Sequence, residues 1–96
     1  MTTTKERQLT AQRVSKLMYF THTSNKEVAD KCGISPGAVS LKKTGRRSFH
    51  GRELAILVNL FRDKGMNVNL DYLVGLPDAP SPTYTPKENA LFQVGA

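Results

Sequence analysis

The sequence predicts an all-α protein, a compact bundle of about five helices with a proline-rich C-terminal tail. Three observations predict it. Apolar residues recur at helical spacing in successive segments. Each segment has a capping residue in front, and those after the first have a glycine behind. After Leu76 the prolines cluster, at 77, 80, 82 and 86, and regular structure gives way.

Thr3 and Glu6 have the spacing of a capping box. Leu9, Val14, Leu17 and Met18 follow, so helix 1 is expected over about residues 5–20. His22 to Ser24 is a turn, and Ser24 caps helix 2 with Glu27 three residues on. Helix 2 spans about 25–32, with Val28, Ala29 and Cys32 on one face. Gly33 tolerates the left-handed conformation that closes a helix. Ser35 and Pro36 then supply an N-cap and a first helical residue for helix 3, about 36–43, which Gly45 ends. Ser48 with Gly51 or Arg52 marks another start. Leu54, Leu57, Val58 and Phe61 make helix 4 the most apolar, ending near Gly65. Asn69 to Asp71 opens a short helix 5, with Tyr72, Leu73 and Val74 closing it before Gly75.

The expected organisation is a helical domain over 1–76 and a linker and tail over 77–96, with 77–85 extended. Thr85, Pro86 and Glu88 restart a helical turn or two through "ENALFQV", too short to hold alone. Internal repeats, heptads and convincing strands are lacking in the pattern.

Ninety-six residues with a formal charge of +6 and a pI near 9.8 make one small basic domain, and a basic balance points to a polyanionic partner. Placement says more than total. Lys42, Lys43, Arg46, Arg47 and Arg52 fall within eleven residues that contain no acid. Apolar runs stop well short of the ~18 residues of a membrane span, so no membrane association is expected. The polar start and the single cysteine point to the cytoplasm.

Nothing in the pattern suggests an enzyme, a cofactor or a metal. Cys32 reads as a small core hydrophobe. His22 and His50 lack partners at ligand spacing. Glu27 and Asp30, flanked by Lys26 and Lys31, read as a salt-bridged helix surface. Phosphate-binding glycine loops and catalytic triads are not visible.

The stretch "NKEVADKCGISPGAVSLKKTGRR", residues 25–47, places two short helices around one glycine and ends in positive charge. A small residue, Ala29, stands where helix 3 must cross helix 2 closely, and Gly33 makes the turn four residues later. Val28, Cys32, Ile34 and Val39 join both helices to the rest. This is the pattern of a helix-turn-helix, with its core at 25–44.

Residues 24–76 resemble the phage lambda-repressor and Cro type of helix-turn-helix domain. "SNKEVADKCGIS" is similar to that family's second helix and turn, "AVSLKKTGRR" to its recognition helix and basic loop, and "VNLDYLVGL" to its short fifth helix. The resemblance implies a small phage or bacterial regulator of transcription. Such proteins bind double-stranded DNA, usually as homodimers on a palindromic operator. It also implies that Pro36, Gly37, Ser40 and Leu41 face the bases. Asn25, Lys42, Lys43, Thr44, Arg46 and Arg47 are expected on phosphates. Two departures stand out. Lys42 occupies a position where the family usually has an apolar or aromatic residue. The base-facing set lacks the Gln, Asn or Arg that contact bases bidentately.

The spare apolar residues Tyr72, Leu73, Leu76, Tyr84, Leu91 and Phe92 are the expected dimer or partner interface, with the tail docking on a dimer mate or a protein partner. A protein-binding module on the same scaffold, antirepressor- or antitoxin-like, is the alternative function.

Overall fold

The computed structural model describes residues 4–76 and 78–84. Thr3, the tail restart at Thr85, and Leu91 and Phe92 lie outside the described residues. Five helices follow in order: α1 (Thr4–Phe20), α2 (Asn25–Cys32), α3 (Pro36–Lys43), α4 (Gly51–Asp63) and α5 (Leu70–Leu73). The all-α bundle expected from the sequence is what forms.

The pattern that predicted each helix also builds the core. Val14, Leu17 and Met18 of α1, Val28, Ala29 and Cys32 of α2 and the completely buried Val39 of α3 belong to one core cluster. Leu54, Leu57, Val58 and Phe61 fill the centre from α4. Burying each such side chain contributes about 1.5–3 kcal/mol. Polar side chains then tie elements together. Arg13 of α1 donates to the carbonyls of Tyr72 (2.7 Å) and Leu76 (3.0 Å), and its guanidinium lies 4.2 Å from the centre of the Tyr72 ring. That cation–π contact and pair of hydrogen bonds hold α5 against α1.

Three expectations need correction. A two-stranded antiparallel ribbon is present: β1 (Met66–Asn67) pairs with β2 (Thr83–Tyr84), Met66 opposite Tyr84 and Asn67 opposite Thr83. The start of the tail therefore folds back onto the body instead of extending from it, and Ala79 packs against the core. Tyr72 and Leu73 are not spare surface. They are 8% and 0% exposed, because α5 is a single turn whose apolar residues close the bundle. Leu70, Val74 and Leu76 are the exposed apolar residues around it. Finally, Glu27 does not pair with its helix neighbours. It accepts from Lys64 Nζ at 2.7 Å, and Lys64 also bonds Thr23 at 3.0 Å, which joins the end of α4 to the start of α2.

Candidate nucleic-acid interface

The α2–α3 unit is closed at each end by the residues its sequence singled out. Ser24 Oγ accepts the Glu27 amide at 3.1 Å and starts α2. Gly33 ends it with φ of +72°, the left-handed region that a residue with a Cβ enters only at a cost. The amides of Gly33 and Ile34 both bond the Ala29 carbonyl, at 2.8 and 3.1 Å, so the turn winds tightly over the small residue. Ser35 Oγ accepts the Ala38 amide at 3.1 Å and Pro36 takes the first helical turn of α3.

On α3 the apolar anchor Val39 points inward, and Pro36, Gly37 and Ser40 are exposed. Leu41 is half-buried. These are the four residues expected at the bases, and the unit brings them to one short helix with Pro36, Gly37 and Ser40 open to solvent. Gly37 has only the Ser35 hydroxyl near its missing Cβ, 3.9 Å away, so the helix tip is uncluttered.

The loop after α3 is tied back on itself. The Leu41 carbonyl accepts the amides of Arg46 (3.0 Å) and Arg47 (3.3 Å), with Gly45 turning the chain at φ of +83°. The backbone is thereby fixed while both arginine side chains stay exposed beside the helix. Thr44 gives its hydroxyl proton to the same carbonyl at 3.0 Å. It is the C-cap of α3, and its side chain is exposed.

Asn25 and Lys43 are half-buried and bonded to each other, Lys43 Nζ to Asn25 Oδ1 at 2.9 Å. This contact joins the start of α2 to the end of α3, so the first residue of α2 and a lysine of the basic block stand together. Ser15 of α1 adds a 3.3 Å bond to the Lys43 carbonyl.

Lys42 is the clear correction. It was expected on a phosphate, but its side chain is 6% exposed and turned into the protein, where Nζ lies 2.5 Å from Glu53 Oε1. Lys42 follows Val39 by three residues and shares its inward face, so the core position kept its burial and recruited a counter-charge. Glu53, which sequence reasoning did not single out, also accepts the His50 amide at 2.8 Å and so caps α4. Burial pushes the Glu53 carboxyl up. The Lys42 hydrogen bond, the His50 amide and the Lys42 charge outweigh this, and its pKa lies below the ordinary glutamate value. The five-charge block thus offers four cations outside the core: Lys43, Arg46, Arg47 and Arg52. Arg52 is exposed, with a long 3.5 Å contact to the Cys32 carbonyl.

Cys32 is 3% exposed, and burial together with the Glu53 charge pushes its thiol up against the opposing effect of Lys42 and Arg52. A thiol in that state is packing material, not a nucleophile. Among the described residues, no three His, Cys, Asp or Glu side chains group as a metal site needs, and no helix is long and apolar enough to cross a membrane. Compared with protein-family models, curated proteins and solved structures, the chain gives no significant match to any of them.

Proposed function

We propose that this protein is a sequence-specific double-stranded DNA-binding regulator of transcription, a repressor acting as a homodimer on a palindromic operator. The observation that carries the reading is the joining of two features. A capped α2–Gly33–α3 unit leaves Pro36, Gly37 and Ser40 exposed, and a tied-back loop sets the exposed Arg46 and Arg47 beside them. On this reading α3 enters the major groove and the arginines neutralise phosphates at its edge. Asn25, at the start of α2, and Lys43 meet the backbone on the other side as a bonded pair. The protein works in the cytoplasm, on phage or bacterial DNA.

One short recognition helix reads few base pairs, so two copies on half-sites about one helical turn apart supply the needed affinity. With Tyr72 and Leu73 buried, Leu70, Val74 and Leu76 are the described apolar residues on which a second copy would close.

Selection of bound duplexes from a random library, followed by footprinting, tests the reading. The expected result is a two-fold related motif protected over both halves. Recovery of no enriched sequence would reject it and favour the protein-binding module.

A further inference from the structure

A further arginine lies beside the basic loop although it is far from it in sequence. Gln8 of α1 packs against Gly45, its Nε2 2.6 Å from where a Cβ on that glycine would stand. The first turns of α1 therefore run along the loop that carries Arg46 and Arg47. Next to Gln8, Arg7 forms one wall of a cavity of about 220 Å³ between α1, the loop and the start of α4. Thr10, Ser48 and Gly51 are its other polar residues, and Phe49 and Leu54 give it apolar sides.

The donors around this cavity are unused. Arg7 Nε is buried and has no hydrogen-bond partner. Thr10 is only 7% exposed, and its hydroxyl bonds no described residue. Ser48 is half-buried and likewise unbonded among the described residues. Gly51 is the first residue of α4, so its amide has no acceptor within the helix. No carboxylate is in the wall. Glu53, in the same first turn, is engaged by Lys42 and the His50 amide and lies outside it. Buried donors without acceptors are costly, and each calls for a partner.

We propose that this cavity is an oxyanion site that takes a phosphate group. Chemistry selects the ligand. A guanidinium, two hydroxyls and an amide at the positive end of a 13-residue helix can all donate. A cationic ligand would leave Arg7 without an acceptor. A carboxylate offers two oxygens in one plane, whereas the donors here stand on two helices and the loop before α4. A tetrahedral oxyanion presents acceptors to each of them. One water occupies about 30 Å³, so the cavity has room for the group and for waters that complete its shell. Arg46, Arg47 and Arg52, exposed on the loop and at the start of α4, draw anions towards it.

Two sources carry this chemistry: a free phosphate-bearing ligand, and the backbone of a duplex held at the basic loop. The second rests on the reading of the protein as a DNA binder, and the first does not.

The isotope-labelled full-length protein is titrated with inorganic phosphate, against sodium chloride at equal ionic strength. The expected result is a saturable shift of the Arg7 Nε–H and Gly51 amide signals with phosphate and not with chloride. Arg7 lies outside the core cluster, so its variants should remain folded. Arg7→Gln should weaken phosphate binding roughly tenfold or more, the loss of one charged hydrogen bond. Arg7→Lys keeps the charge and should lose less. Thr10→Val, similar in shape, should lose about fivefold. A salt series with duplex then separates the sources. A log–log slope flattened by about 0.9 in Arg7→Gln puts a DNA phosphate in the cavity. An unchanged slope, with inorganic phosphate bound by the native chain, assigns the site to a free ligand. Without duplex binding the phosphate titration decides alone. Absence of a saturable phosphate shift together with an unchanged slope would overturn the proposal, as would a shift equally strong in Arg7→Gln.

Discussion

Lys42 and Glu53 form an ion pair inside the protein, 2.5 Å apart with side chains 6% and 5% exposed, and it joins the last turn of α3 to the first turn of α4. The carboxylate also holds the His50 amide, so one side chain closes α4 and fixes the helix before it. Two desolvated charges are tolerable only as a pair.

Removing one partner should therefore cost far more than removing both. Lys42→Met and Glu53→Met each leave a buried charge alone, and each should lower unfolding stability by roughly 3–5 kcal/mol. The double variant should lose much less than the sum, retaining mainly the ~1 kcal/mol cost of the lost cap. Urea unfolding of the four proteins measures the coupling. Additive losses would mean that the pair contributes little to holding α3 and α4 together.

The same pair makes stability acid-sensitive. The Glu53 pKa is lower in the folded than in the unfolded protein, so its contribution is complete above the ordinary glutamate value. It is lost as pH falls from there through the depressed folded value. Glu53→Gln cannot ionise, and its stability should vary less over that acidic window. Parallel pH profiles for the two proteins would contradict the assignment.

Electrostatics outside the core should separate the cations. Arg46→Ala and Arg47→Ala should weaken binding to operator and random duplex alike, each flattening the log–log salt slope by about 0.9. Lys42→Met, measured where the variant is folded, should leave that slope unchanged because its ammonium faces Glu53. A slope change of the arginine size in Lys42→Met would return this residue to the phosphate set.

Sequence choice should be modest at each base pair. Ser40 is exposed and carries one hydroxyl that donates or accepts, so Ser40→Ala should cost at the low end of the ~1–3 kcal/mol of a good base contact. Leu41→Ala should relax a preference for A·T, through loss of contact with a thymine methyl. DNA shape carries the rest, and substitutions at uncontacted central base pairs should matter by a similar amount. Affinities over a single-substitution operator set check this. A strict guanine requirement that disappears with Ser40→Ala would show that α3 sits in a different register.

Much of the fold was legible because its signals are local. Ser24, Gly33, Ser35 and Pro36 each act within a few residues, and α2 and α3 begin and end where those residues place them. Lys42 was expected on a phosphate, although it follows Val39 by three residues, the spacing of one helix face. Its partner, eleven residues away across a loop, carries no periodic signal, so the positive block looked uninterrupted until Glu53 was found beneath it. The β1–β2 ribbon escaped for a similar reason. Two-residue strands show no alternation, and the paired residues lie sixteen and eighteen positions apart, across prolines that argue for extended chain. Tyr72 and Leu73 were misread because a one-turn helix is too short for its apolar face to be told from its exposed one. Pro36, Gly37, Ser40, Arg46 and Arg47 are exposed because α3 turns only Val39 and Lys42 fully inward.

The most direct test is titration of the full-length protein against a selected duplex and a scrambled one across salt concentrations, with the stoichiometry of the complex from sedimentation. The account predicts two protomers per operator, preference for the selected sequence at physiological salt, and an affinity that falls steeply and linearly on log–log axes. Loss of all duplex binding at physiological salt, with the protein still folded, would contradict it.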